Sequence, residues 1–168
     1  MRKRTKLFIG IILVLVIGFL IPQNLSIPVQ GATQNDYNPE SFWYYPWGKS
    51  ITHKGVDIFV KRGASVLAST SGLVLYAGEV GRGGNVILVL GPKWRIHYYA
   101  HLKTTGKSFF SWVSRSEKIA TVGTTGNAFG KQPHLHYAIA TLIPYPWRID
   151  KDIQGWKKMF YLNPMDYF

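Results

Sequence analysis

The sequence predicts an all-β protein, an antiparallel β-sandwich or small barrel, carried behind an N-terminal apolar helix. Three observations lead there. Residues 56–140 break into seven short apolar runs, rich in Val, Ile, Leu and Tyr and bounded by Gly, Ser or Pro. No stretch after residue 21 sustains helical periodicity. A basic start, Met1-Arg-Lys-Arg-Thr-Lys6, runs directly into unbroken apolar sequence from Leu7 to Ile21.

The N-terminal element has the form of an export signal or an uncleaved signal-anchor. Its apolar core suits a signal peptide and falls short of the ~20 residues that comfortably span a bilayer. The flanking basic residues favour a cytoplasmic N-terminus and translocation of the rest. The protein is therefore expected to be exported, and either anchored in the membrane or secreted. Val29-Gln30-Gly31 provides only a poor small-x-small pattern for cleavage. Residues 1–21 are thus read as signal or anchor, 22–41 as a polar linker rich in Asn and Gln, and 42–168 as the domain.

Within the domain, Phe42-Trp-Tyr-Tyr-Pro-Trp47 reads first as a cap on a small core, because aromatics dominate burial, and second as a wall of a groove. Strands are expected at Val56–Val60, Ser65–Leu67, Gly72–Ala77, Asn85–Leu90, Arg95–His101, Ile119–Val122 and Leu135–Ala140. Gly78-Glu-Val-Gly81-Arg-Gly83-Gly84 lacks the Lys-Ser/Thr ending and following helix of a phosphate cradle, so it reads as a hairpin turn. Lys151–Phe160 suits a turn or two of helix, and the tail around Trp156–Pro164 is expected to pack back and close an edge strand.

Composition narrows the chemistry. With 46% hydrophobic and 17% charged residues, the 168-residue chain is no disordered segment. The absence of cysteine excludes a disulfide scaffold, a thiol nucleophile, thiolate metal sites and a lipid-modified N-terminal cysteine. The net charge of +12 includes four positives before residue 7, and the remainder carries +8. Such a charge favours anionic surroundings such as nucleic acid, anionic lipid or an acidic cell-wall polymer. Because the remainder has no basic run or stripe, nucleic acid is not an expected partner. A monomer is expected.

All five histidines fall between residues 53 and 136. His53-Lys-Gly-Val-Asp57 places a histidine and a carboxylate four apart at the entrance of a strand. His134-Leu-His136 and Tyr99-Ala-His101 each put two side chains on one face of a strand. Together these pieces supply imidazoles and a carboxylate for a metal, and three protein ligands with an open fourth position are what a catalytic zinc site requires. Tyr99 is a candidate hydrogen-bonding group beside His101, with groove packing at least as good a reading. His97 shares their parity but is expected to be a surface or groove residue with no catalytic task.

His53-Lys-Gly-Val-Asp57, Tyr98-Tyr-Ala-His101-Leu102, Val122-Gly-Thr-Thr-Gly126 and Pro133-His-Leu-His136-Tyr137 resemble, in order, the blocks of the lysostaphin/LytM-type (β-lytic) zinc metallopeptidases, endopeptidases of bacterial peptidoglycan. The resemblance covers roughly residues 46–140. It implies an antiparallel β-sheet core with an open groove, one Zn2+ held by His53, Asp57 and His136, and catalytic roles for His101 and His134. It further implies hydrolysis of peptide bonds in peptidoglycan cross-links or stem peptides by a zinc-activated water. Two departures bear on loop shape: Ala138 stands where the family often has glutamate, and Val113–Glu117 replaces a Gly-rich turn. Some members of the family have lost ligands and act as activators of other wall hydrolases, which gives the alternative of a non-enzymatic peptidoglycan-binding regulator. All five matching positions are intact here.

Overall fold

A computed structural model describes residues 3–168; Met1 and Arg2, the latter one of the four N-terminal basic residues, lie outside the described residues. The domain is one nine-stranded antiparallel sheet: β1 (Val56–Phe59), β2 (Ser65–Leu67), β3 (Gly72–Val80), β4 (Gly84–Gly91), β5 (Arg95–Thr105), β6 (Trp112–Val113), β7 (Lys118–Val122), β8 (His134–Thr141) and β9 (Tyr161–Leu162). Its main path runs β1-β8-β5-β4-β3-β6, with β2 and β7 joined through β5 and with β9 joined to β8. This corrects the expectation of a sandwich or small barrel, while the antiparallel sheet itself is as expected. The eleven-residue β5 pairs with β8 and β4 along its first part and with β7 from Leu102 onward, so the strands of a would-be second sheet stay hydrogen-bonded to the first. The path ends at β1 and β6 without closing.

The seven anticipated strands form, most of them longer by a residue or more. The glycine-rich segment turns between β3 and β4 as a short 3-10 turn at Gly81–Gly83. The tail returns to the sheet, where Leu162 pairs with Ile139. The two-residue strands β6 and β9 had no sequence signal, because two residues show no periodicity.

Strand alternation separates the two faces. Val56 and Ile58 of β1 and Leu135, Tyr137 and Ile139 of β8 are fully buried, as are Tyr99 of β5 and Ile87 and Val89 of β4. They share the core with Val66 of β2 and with Ile119 and Val122 of β7. The alternate residues of β1, β5 and β8 form the opposite face, which floors an open cleft.

Residues 22–41 do not hang free as a linker. Val29 bridges to Val66, Leu67 N donates to Pro28 O, and Gln30 N donates to Ser65 O. Val29 is 3% and Tyr37 9% exposed. Composition hid this, since the segment's few apolar residues are the ones that enter the core. Before it, α1 spans Lys3–Leu20 with all but Gly18 and Phe19 exposed. Among the described residues no helix is long and apolar enough to cross a membrane.

Candidate metal and catalytic site

Sheet register assembles the site. In the β1–β8 pair Asp57 lies opposite His136 and Phe59 opposite His134, and alternation turns all four to the cleft. His53 comes from the segment before β1, which crosses β8 closely at Gly55. A Cβ there would stand 2.5 Å from Tyr137 O and 2.9 Å from His136 Cε1, so only glycine permits this approach.

Three donor atoms converge. His53 Nε2 is 3.1 Å from both Asp57 Oδ1 and His136 Nδ1, and His136 Nδ1 is 2.8 Å from Asp57 Oδ1. His53 Nδ1 donates to Ser41 O at 2.9 Å, which leaves the Nε2 lone pair facing the other two donors. Trp47 stacks on the His53 ring at 4.1 Å. The aromatic cluster therefore divides: Trp43 is buried, whereas Pro46 and Trp47 wall the cleft. Burial by itself would raise the Asp57 pKa, but the adjoining His136 and His53 rings outweigh it and hold the carboxyl well below the usual carboxylate range.

The donor set fits zinc. Two imidazole nitrogens and one carboxylate oxygen are common zinc ligands, and bonds of about 2.0–2.1 Å in a tetrahedral centre put donors about 3.3 Å apart. The observed separations are close to that spacing, and the three residues form a metal-competent group.

His101 reaches the same cleft through a β-bulge. Tyr99 pairs with Ile87 and Leu102 with Asn85, so Ala100 and His101 together oppose Val86. His101 adopts φ +63, a left-handed conformation that costs a non-glycine residue roughly 1 kcal/mol or more. The extra residue keeps Ala100 and His101 on the cleft side while Tyr99 and Leu102 point into the core. This overturns the reading of Tyr99 as a groove residue: it is fully buried, and its hydroxyl accepts from Ser69 N. Tyr98 lines the cleft instead, edge-on to His136. Strict alternation from His101 hid Tyr98; the bulge that exposes it left no recognisable mark in sequence.

His97 is likewise corrected. It has no exposed surface, and its two ring nitrogens contact Tyr137 Oη at 2.6 Å and Gln23 Nε2 at 3.1 Å.

His101 Nδ1 donates to Thr125 O at 2.9 Å, and His134 Nδ1 to Gln132 O at 2.8 Å. Both Nε2 atoms are thereby left as acceptors. The two rings lie 5.0 Å apart, and His134 Nε2 is 4.0 Å from Asp57 Oδ2. Burial first, and then His136 and His134, push the His101 pKa down to about 4 against the opposing effects of Thr125 O and Asp57. Thr125 is itself fixed, since its hydroxyl donates to Leu102 O and accepts from Asn85 N. That bracing explains the Val122–Gly126 block, which contributes no group of its own to the reacting centre.

The cleft encloses about 650 Å³ and holds Lys49, Arg82 and Lys131 along its walls, with Asp57 the sole carboxylate among the described residues that line it. Among the described residues none of those three cations forms an ion pair.

A family model described as "Peptidase family M23" matches residues 51–145. The catalytic domain of the antimicrobial peptidase lysostaphin from Staphylococcus simulans superposes with a TM-score of 0.63 at 26% identity, covering 79% of this chain and 92% of that one. A zinc-containing peptidase from Vibrio cholerae gives a TM-score of 0.58 at 26% identity, over 70% of this chain and 36% of the other. Among curated proteins, the murein hydrolase activator NlpD of Escherichia coli is 34% identical over 111 residues, 60% of this chain and 28% of its own length. The cell division protein DipM of Caulobacter vibrioides is 34% identical over 91 residues, 54% of this chain and 15% of its own. The chain thus spans under a third of either curated relative. Because the family model covers more than half of the sequence, and the sheet is lysostaphin-like, the protein belongs to peptidase family M23.

Proposed function

We propose that the protein is an exported, zinc-dependent endopeptidase that hydrolyses peptide bonds in peptidoglycan cross-links or stem peptides. The observation that supports this most is the convergence of His53, Asp57 and His136 beside two histidines whose Nε2 atoms are free to accept. His53 Nε2, His136 Nδ1 and an Asp57 oxygen would hold the ion. Zinc bound there supplies Lewis acidity and makes water available as a nucleophile near neutral pH. His101 and His134 accept the proton of the attacking water, stabilise the developing oxyanion once charged, and return the proton to the leaving amine. The hydrogen bonds to Thr125 O and Gln132 O hold both rings in the tautomer these tasks need. Lys49, Arg82 and Lys131 suit a substrate carrying carboxylates.

The export segment and the +8 carried by residues 7–168 fit a working place at the cell envelope, and one relative, YgeR of Escherichia coli, is named a lipoprotein. A second reading rests on NlpD, named a hydrolase activator: a non-enzymatic regulator that binds peptidoglycan through the same cleft. Purified protein and purified cell wall separate the two. The enzyme holds about one zinc per chain and releases new amino groups, chelation stops the release, and His101→Ala keeps zinc while losing about 100-fold or more in rate. His53→Ala loses the metal and the activity. A wild-type chain that binds wall and stimulates a partner hydrolase, yet liberates no amino groups, refutes the enzymatic reading.

A further inference from the structure

The sheet has two chemically distinct ends. The cleft occupies one, formed by the later half of β5, the start of β8 and the β3–β4 turn. The opposite end is formed by the start of β5, the ends of β4 and β8, and the short β6, since Arg95 pairs with Gly91 and Thr141, and Leu73 with both Leu90 and Trp112. Arg95 and His101 stand six positions apart on β5, about 20 Å.

α1 joins the domain at the end remote from the cleft. Gly18 packs against the Trp94 ring, Trp94 Nε1 donates to Leu15 O at 2.9 Å, and Lys93 Nζ donates to Phe19 O at 2.8 Å. Just beyond the helix, Gln23 is tied to His97 and Arg95. Only Ile21 and Pro22 lie between Leu20 and that attachment, so the tether can extend no more than about 10 Å. Beside the junction runs a groove of about 440 Å³ lined mainly by apolar surface, with Ile21, Leu73, Trp94, Trp112 and Arg115 among the residues of its walls. Trp112 is 64% exposed, and Phe109, three residues before it in the chain, 67%.

We infer that this end of the sheet is a docking surface for the anionic lipid bilayer that holds α1, which directs the cleft away from the membrane. The inference rests on reading α1 as a retained membrane segment. Leu7–Ile21 is exposed almost throughout, apolar on every side, and preceded by Lys3, Arg4 and Lys6, a pattern that lipid covers better than water. Its fifteen apolar residues extend about 22 Å, short of a ~30 Å hydrocarbon layer. The contact of Trp94 with Leu15 and Gly18 means that any bilayer enclosing the helix reaches Trp94 and its surroundings. There Trp94 and Trp112 suit the interfacial zone, and Lys93 and Arg115 meet anionic headgroups. The shortage of helix is thus made up by the apolar end of the domain.

The cysteine-free sequence allows single labels. Full-length Phe109→Cys and Phe129→Cys, the second 85% exposed and next to the cleft-lining Ala128, are each labelled with a nitroxide and reconstituted into phosphatidylglycerol-containing vesicles. The expected result is burial of the 109 label in the headgroup region and full water accessibility of the 129 label. Arg115→Gln should lower the docked-to-free ratio at 109 about fivefold, as loss of one cation at an anionic surface predicts. Chains that float with the vesicles but show equal water accessibility at both labels overturn the docking surface while leaving α1 in the membrane. Chains that fail to float overturn the membrane reading of α1 and the docking surface with it. Spin–spin broadening between 109 labels that persists in lipid excess assigns the surface to a second copy and also overturns the proposal.

Discussion

Acid stability offers a quantitative test of the buried His97. Its ring is enclosed by Tyr137, Gln23 and Arg95, and burial first, then the Arg95 charge, lowers its pKa from 6.5 to about 3. Between those values the unfolded chain takes up a proton that the folded chain refuses. The contribution is therefore fully present above pH 6.5 and is lost progressively as the pH falls toward 3. At about pH 4.5 the loss is on the order of 3 kcal/mol, a large part of the stability of a small domain. The assay is urea unfolding of the full chain in mild detergent from pH 7 to pH 4.5, alongside His97→Gln, which can hydrogen-bond to the same neighbours without titrating. The other histidines and the carboxylates titrate in both proteins, so the His97 contribution is the difference between the two pH slopes. His97→Gln should start less stable near neutrality and converge on or overtake the wild type in acid. Parallel slopes would refute the argument that His97 is held neutral.

Gly55→Ala forces a Cβ against Tyr137 O and the His136 ring; it should cost about 1–3 kcal/mol and weaken zinc binding measured by competition with a chelator, whereas unchanged affinity would show that β1 can shift freely. Val29→Asp places a charge where the chain is 3% exposed and should destabilise by more than about 3 kcal/mol in urea; a free linker would register almost nothing. Arg82→Glu combined with Lys131→Glu should raise KM for a peptide with free carboxylates about tenfold or more and leave its amidated counterpart nearly unaffected. Equal effects on both peptides would remove charge recognition from the cleft.

Much of the site was legible in the sequence because its spacing is local. Asp57, His134 and His136 are oriented by strand parity, and the structure brings these three and His101 to one cleft, with the buried His53 meeting Asp57 and His136. Parity also misled. It assigned Tyr99 to the groove and His97 to a groove or the surface, because it was carried unbroken through residues 99–102, where the backbone inserts one residue. A bulge depends on how the partner strand is paired, and β4 is a separate run of sequence. The same limitation hid Ser41, which orients His53 with its carbonyl, a group every residue possesses.

By itself the sequence determined the strand-rich character, the His and Asp donor set and the basic, apolar N-terminus, since each depends on residue types at short spacing. Only the tertiary structure decided that the strands make one open sheet, that Tyr98 rather than Tyr99 faces the cleft, and that residues 22–41 belong to the fold. Those outcomes turn on cross-strand register and on which few apolar side chains find a partner, long-range contacts that no local window contains.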